Sequence, residues 1–136
     1  MNRVIVVLTA IISISGVALL VAKPENEAKK PAEQWLALID SGKFAESWKA
    51  ADHYMQRAAS EDLWQRKLDM MRKPLGEVLS RKLESAKLEH PNQWITVDHV
   101  RLKFATSFSN KKEAVETVTL MAQKGGSWKV AGYYIE

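Results

Sequence analysis

The sequence contains no cysteine, and this absence excludes disulfide bonds, a thiol nucleophile and thiolate ligands for a metal. It also excludes a lipoprotein that is anchored through a lipidated cysteine. The chain has no internal repeat and no low-complexity tract. Without disulfide bonds, we expect the stability of the fold to come from packing.

The sequence also lacks the short motifs that mark common active sites. It has no Gly-x-Ser-x-Gly nucleophile elbow, no glycine-rich phosphate loop and no helix with paired histidines. His53, His90 and His99 are isolated from one another, and scattered histidines are more often surface or hydrogen-bonded residues than metal ligands. We therefore expect no metal site and no cofactor.

The charge pattern argues against a nucleic-acid partner. Twenty Lys and Arg residues against sixteen Asp and Glu residues give a formal net charge of +4. A basic chain of this kind invites the question of nucleic-acid binding. However, the basic residues alternate with acidic ones, and no arginine-rich stripe is present, so we expect no nucleic acid.

The first 22 residues form one long apolar run with a basic start. Arg3 precedes the uncharged stretch from Val4 to Ala22, and Lys23-Pro24 follows it. This is the layout of a secretory signal, although the run is also close to the roughly 20 residues that span a bilayer as a helix. We interpret residues 1–22 as a signal peptide or a signal anchor, with cleavage favoured. The remainder is expected to be periplasmic or secreted; the alternative is an inner-membrane-anchored domain outside the cytoplasm.

The exported part is predicted to be a polar linker over residues 23–30 and a single domain over residues 31–136. Three helical patterns open this domain: one from Pro31 to Asp40, one with an apolar stripe from Phe44 to Ala58, and one from the N-cap Ser60 to the break at Pro74 and Gly76. Arg72 and Lys73 would lie in the last turn of the third helix, where positive charge complements the exposed carbonyls. We therefore interpret this basic Pro-x-Gly junction as a turn into a sheet, not as an anion site.

The second half of the domain has the alternation of strands. The predicted strands are Val97–Phe108, Glu113–Gln123 and Trp128–Ile135, with a further strand at Val78–Leu88 whose Leu, Glu and Lys also suit a helix. Gly125-Gly126 marks a hairpin turn. Helices followed by a strand meander predict an α+β domain with three N-terminal helices packed on one face of an antiparallel sheet of about four strands.

Several segments together resemble the bacterial family called domain of unknown function 4019. They are "AEQWLALIDSGKFAESWKAA", "RKPLGEVLSRKL" and "ETVTLMAQKGGSWKVAGYYI". The resemblance implies a strongly curved sheet covered by three helices, similar to the cone of nuclear transport factor two and the cystatin-like group, with a pocket between helices and sheet. The loop "LEHPNQW" departs from the pattern, since only Pro91 remains of the turn residues that the family has there. The resemblance implies no established activity.

An enzymatic site on such a fold would need a carboxylate that faces an apolar pocket, because burial would raise its pKa and suit it to proton transfer. Asp98 has the strand parity of Leu102, and Glu116 shares a face with Val118. Alternatively, a bulge turns Asp98 outward and Glu116 pairs with a Lys or Arg. The complete set of candidate pocket residues is Trp48, Tyr54, Asp98, Phe104, Glu116 and Tyr134.

The tryptophans divide into two groups. Trp35, Trp48 and Trp64 fall on apolar helix stripes and are predicted to be core residues, whereas Trp94 and Trp128 lie near strand ends. An exposed pair there would make a binding patch, although Trp128 is more simply explained as a residue that closes the core.

The sequence therefore predicts an exported non-enzymatic domain that binds a partner protein or a small apolar ligand. A homodimer through the outer sheet face is a further expectation. The alternative function is a pocket enzyme of the isomerase, dehydratase or hydrolase type that uses a buried carboxylate such as Asp98. In the preferred hypothesis no residue is catalytic.

Overall fold

A computed structural model describes residues 23–136, so the predicted export segment, residues 1–22, lies outside the described residues. The helices are α1 (Pro24–Asp40), α2 (Phe44–Lys49), α3 (His53–Ala58) and α4 (Glu61–Arg72), followed by a 3-10 turn at Lys73–Leu75. The strands are β1 (Val78–Glu89), β2 (His99–Phe108), β3 (Lys111–Ala122) and β4 (Trp128–Ile135). The predicted α+β order, with helices before strands, is confirmed.

Helix α1 begins seven residues earlier than the sequence pattern indicated, so the predicted linker is wrong for residues 24–30. Pro24 is well placed in the first turn, and Glu25 and Glu27 are acidic residues where the helix dipole favours negative charge. Ala28 is fully buried in the hydrophobic core. Pro31 lies inside the helix, although proline usually marks a helix start. The tertiary contact at Ala28 makes this first part of α1 belong to the fold.

The predicted second helix is two short helices with a break at Ala50–Asp52. The Asp52 side chain accepts a hydrogen bond from the Tyr54 amide at 2.8 Å and so caps α3. The Asp52 amide donates to the Val130 carbonyl on β4 at 2.7 Å. The chain breaks here because Asp52 attaches it to the sheet.

The four strands form one open antiparallel sheet in the order β1-β2-β3-β4. β1 pairs with β2 from Val78 to Glu89, which confirms the strand that the sequence left open to a helical alternative. Helix α1 contacts all four strands. The core between helices and sheet includes Trp35, Leu36, Leu68, Val100, Leu102, Phe104, Val118, Leu120 and Tyr133.

The core tryptophans are tied together by a buried serine. Ser47, at the centre of α2, is fully buried. Its carbonyl accepts from the Trp35 indole nitrogen at 2.9 Å, and its hydroxyl accepts from the Trp64 indole nitrogen at 3.0 Å. The two indole rings lie 6.1 Å apart. This arrangement confirms Trp35 and Trp64 as core residues and satisfies both indole donors.

Candidate functional site

A cleft of about 750 Å³ opens at one end of the sheet, between α3, the β1–β2 loop and the β3–β4 turn. We call it the Trp94 cleft. Its apolar and aromatic lining is Tyr54, Trp94, Ile95, Val97, Met121 and Ala122. Its polar and charged lining is Asp52, His53, Arg57, Thr96, Gln123, Lys124, Ser127 and Lys129.

Exposed apolar side chains are concentrated at this cleft. Seven large hydrophobic residues are exposed in the chain from residue 23 onward, and three of them line the Trp94 cleft. Trp94 is 78% exposed, Tyr54 44% and Val97 38%. Single exposed apolar residues are common on any protein, whereas a group of them around a concavity is typical of a binding site.

The outward position of Trp94 has a local cause in the β1–β2 loop. The Asn92 side-chain oxygen accepts from the amides of Trp94 and Ile95 at 2.8 and 2.9 Å, and the Asn92 amide donates to the Ile95 carbonyl at 2.8 Å. Asparagine commonly closes turns in this way. The loop backbone is therefore held by its own hydrogen bonds, with the indole directed to solvent.

The charge of the Trp94 cleft is positive. Arg57, Lys124 and Lys129 line it, and none of the three is ion-paired within residues 23–136. The one carboxylate in the lining, Asp52, is engaged at both oxygens. One oxygen caps α3, and the other accepts from the Gln123 amide nitrogen at 2.7 Å. Three cations thus face the cleft against a single carboxylate that already has its hydrogen-bond donors.

A second polar cluster lies inside the domain, around Glu116. This residue is fully buried on β3, on the face that the helices cover. Its carboxylate accepts from Arg81 Nε at 2.7 Å, from the Thr106 hydroxyl at 2.6 Å and from the Tyr133 hydroxyl. Arg72 Nη1 lies 4.0 Å from the second carboxylate oxygen. Burial, followed by the charge of Glu116, raises the pKa of the Tyr133 hydroxyl far above its usual value.

The cluster extends to Asp40 at the end of α1. Arg81 donates to both Asp40 oxygens, at 2.7 and 3.0 Å, and Arg72 Nη2 donates at 2.9 Å. Burial acts to raise the pKa of Asp40, but the hydrogen bonds and charges of Arg81 and Arg72 outweigh it and hold that pKa below its usual value. Desolvation acts in the opposite direction on Arg81, and the two carboxylates again outweigh it and raise its pKa.

Two arginines and two carboxylates therefore compensate each other inside the protein. They connect the ends of α1 and α4 to all four strands of the sheet: Arg81 on β1, Thr106 on β2, Glu116 on β3 and Tyr133 on β4. Arg72 also lies over the Phe108 ring, 5.0 Å from its centroid. We call this set the Glu116 network. Its geometry is that of a structural ion-pair network, in which each carboxylate is saturated by donors.

The predicted pocket residues do not meet in one place. Glu116 is buried, as its strand parity predicted, and it pairs with an arginine, which was the alternative reading of that residue. Phe104 is a core residue. Asp98 precedes β2, which begins at His99, and its side chain is 47% exposed and lies 3.0 Å from His90 Nδ1. Of the two readings of Asp98, the structure has the outward one.

The remaining candidates lie elsewhere on the domain. Trp48 is half-buried, and its indole nitrogen donates to the Ala59 carbonyl at 2.8 Å, which ties α2 to the end of α3. Tyr54 lines the Trp94 cleft, whereas the 46% exposed Tyr134 lies opposite Thr117 on the outer sheet face. Trp128 packs against the core, as the simpler explanation held, so Trp94 does not form a patch with it.

Sequence reasoning missed the partners of Glu116. Arg72 was interpreted only as a cation at a helix end, and Asp40 only as part of a helix stop. Two signals were present in the sequence. A glutamate on the apolar face of a strand needs a cation, and Arg72 and Arg81 flank the Pro-x-Gly junction. The side-chain hydrogen bonds that join these residues span 32 to 41 positions, and a periodic pattern cannot show a pairing over that separation.

Fold and site together define a small α+β domain in which helices cover one face of an antiparallel sheet and an aromatic, basic cleft lies at one sheet end. Residues 31–133 match the family described as "Protein of unknown function (DUF4019)", and the chain belongs to this family. A solved structure from Catenulispora acidiphila is similar in fold: it is 11% identical, has a TM-score of 0.51, and the match covers 81% of this chain and 88% of that one. No curated protein matches the chain.

Two features are absent from residues 23–136. No helix in this part of the chain is long and apolar enough to cross a membrane. The same residues bring together no group of three His, Asp or Glu side chains that would suit a metal ion.

Proposed function

We propose that this chain is an exported, non-enzymatic binding domain and that the Trp94 cleft is its binding site. One observation carries the proposal: an aromatic side chain that is 78% exposed stands beside a cleft of about 750 Å³, on a loop held by its own hydrogen bonds. A volume in this range is typical of ligand-binding clefts, which occupy roughly 300 to 1,000 Å³.

The alternative, a pocket enzyme, has less support. Glu116 is the one candidate carboxylate with the burial that such an enzyme needs, and its oxygens are taken by Arg81, Thr106 and Tyr133. A general base must reach a substrate proton to about 3 Å. Asp98 is on the surface beside His90 and has no apolar enclosure. The binding function is therefore preferred.

The proposal includes export. The basic start, the uncharged stretch from Val4 to Ala22 and the polar exit at Lys23 support a periplasmic or secreted domain. Mass spectrometry of the mature N-terminus tests the cleavage. A chain that retains Met1 and fractionates with membranes would favour the anchored alternative, and a chain that stays in the cytoplasm would contradict export.

We also propose that the domain has the cone shape of the nuclear transport factor two and cystatin-like group. Helices on one face of an open antiparallel sheet support this assignment. A crystal structure with a flat sheet would exclude it.

A homodimer through the outer sheet face is the less favoured mode of association. That face carries Tyr134 together with Arg101 and Lys103, and a two-fold contact would bring the same charges together. Sedimentation velocity at increasing concentration tests this, and a stable dimer would show that the repulsion between like charges does not prevent association.

Binding at the cleft can be tested with small aromatic probes before a natural partner is known. We expect indole, indole-3-acetate and tryptamine, or a subset of them, to shift the amide resonances around Trp94 and Tyr54. Trp94→Ala should remove those shifts, because the exposed indole supplies the contact surface. Leu79→Ala, which removes a side chain that is also exposed, is the matched control. Shifts that are scattered over the surface, or that persist in Trp94→Ala, would contradict the proposed site.

A further inference from the structure

We infer that the Trp94 cleft docks an acidic segment of a partner protein that carries a large apolar or aromatic side chain. This inference rests on the proposed function, and it adds the chemical class of the occupant. Three properties of the cleft support it: its residue types, its charge and its shape.

The residue types are those that dominate protein–protein contacts. Trp94, Tyr54 and Arg57 line one cleft, and tryptophan, tyrosine and arginine are the residues most enriched at binding hot spots. An aromatic or large apolar side chain of the partner would pack against the indole and the Tyr54 ring. Ile95 and Val97 extend that apolar surface.

The charge of the cleft selects an acidic segment. Arg57, Lys124 and Lys129 lack acidic partners in the part of the chain that the structure describes, and Asp52 is already engaged by the Tyr54 amide and by Gln123. A neutral or basic segment would leave three cations without compensation. A second copy of this chain would bring the same cations against themselves.

The shape of the cleft favours a protein segment over a small molecule. A small-ligand pocket commonly buries about 70 to 90% of its ligand. Here the main aromatic side chain is itself 78% exposed, and it projects from a loop at the end of the sheet. An open, aromatic and basic surface suits a peptide that lies across it.

The test uses four probes with the full domain. The first is a blocked pentapeptide with four glutamates around one phenylalanine; the second replaces the glutamates by glutamine, and the third replaces the phenylalanine by alanine. Free phenylacetate is the small-molecule arm. Affinity is measured by titration calorimetry, and the site by amide chemical shifts. Two or three exposed ion pairs would make the acidic peptide bind about tenfold tighter than its glutamine counterpart. This advantage should shrink when salt is raised, because screening weakens exposed ion pairs.

Charge reversal at the cleft supplies the matched variants. Arg57→Glu with Lys129→Glu should abolish the preference for the acidic peptide, whereas Lys67→Glu with Lys82→Glu, at exposed positions outside the cleft lining, changes the net charge equally and should retain it. Trp94→Ala should remove the binding of the phenylalanine peptide.

The outcomes separate the inference from the proposed function. If the glutamine peptide binds at the cleft as tightly as the acidic one, or if phenylacetate binds and the peptides do not, the inference is overturned while the cleft stays a binding site. If none of the four probes shifts the amide resonances of the cleft, and neither indole nor tryptamine does so, the inference and the proposed binding site are both overturned.

Discussion

Glu116 shows how neighbouring residues decide the role of a carboxylate. Its position on the apolar face of a strand suits a general base as well as a structural ion pair, and strand parity predicts the burial without distinguishing the two. The distinction comes from Arg81, 35 positions away, and from Tyr133 on β4. Because these partners saturate the carboxylate with donors, the residue acts in stability.

The first prediction concerns removal of the Glu116 charge. Glu116→Gln keeps the size of the side chain but leaves Arg81 and Arg72 with one carboxylate between them. Breaking a buried ion pair from one side costs about 3 to 5 kcal/mol. Since Asp40 still compensates Arg81, we expect a loss near the lower end, about 3 kcal/mol in the free energy of unfolding. Urea denaturation measures it, with the exposed Glu113→Gln on the same strand as control. Equal stability of the two variants would contradict the structural role of Glu116.

Asp40 provides a prediction about pH. Its pKa is lower in the folded protein than in the unfolded chain, because Arg81 and Arg72 stabilise the charged form. Such a group contributes its full stabilisation above the unfolded-state pKa of about 3.9 and loses it as the pH falls through the folded-state value. Asp40→Asn should therefore be less stable than the wild type by about 2 kcal/mol near neutral pH, and the difference should shrink below about pH 4. Urea unfolding across this pH range measures the difference. Asp69→Asn, on the exposed side of α4, should show no such trend, and a pH-independent loss for Asp40→Asn would contradict the assignment.

At the scale of elements, the sequence predicted the type of nearly every segment and misplaced two helix boundaries. Period-two alternation identified β2, because one face of that strand is buried, whereas β-branched and aromatic residues identified β3 and β4. The split between α2 and α3 was missed, since the apolar stripe from Phe44 to Ala58 continues across it. What breaks the helix is the bond from Asp52 to Val130, a tertiary contact that periodicity does not report. The early start of α1 was missed for the same reason.

The junction between the helices and the sheet provides the next prediction. Gly76 ends the 3-10 turn with φ +74°, and a Cβ there would overlap the Ser109 hydroxyl. Gly125 has a similar φ of +91° with open space around it. Gly125→Ala should therefore cost only the backbone strain, about 1 kcal/mol, while Gly76→Ala should cost clearly more. Thermal unfolding of both variants makes the comparison. Equal losses would mean that the Ser109 side chain moves away freely and that the junction is not tightly packed.

At the scale of the whole molecule, the Glu116 network and the Trp94 cleft lie at separate places along the sheet. Glu116 is near the middle of β3 and Met121 is near its cleft end, five residues away, which is about 17 Å along a strand. The network connects helices to strands and shares no residue with the cleft lining. The cleft end is formed by a loop, a turn and a six-residue helix, the segments in which binding residues are most often placed on a rigid scaffold. Sequence reasoning noted Trp94 as a surface aromatic, but not its basic neighbours, because Arg57 and Lys129 come from distant segments.

This separation predicts that stability and binding vary independently. Trp94→Ala should abolish binding of an acidic phenylalanine peptide and change the free energy of unfolding by less than about 0.5 kcal/mol, because the side chain is exposed. Glu116→Gln should show the reverse: a large loss of stability with unchanged peptide affinity at a temperature where the variant is folded. The double variant should lose stability by the sum of the single effects within about 0.5 kcal/mol, as for sites more than about 10 Å apart. Urea denaturation and calorimetric titration of all three variants measure both quantities. A loss of affinity in Glu116→Gln would show that the network positions the cleft, and the network and the cleft would then be a single coupled site.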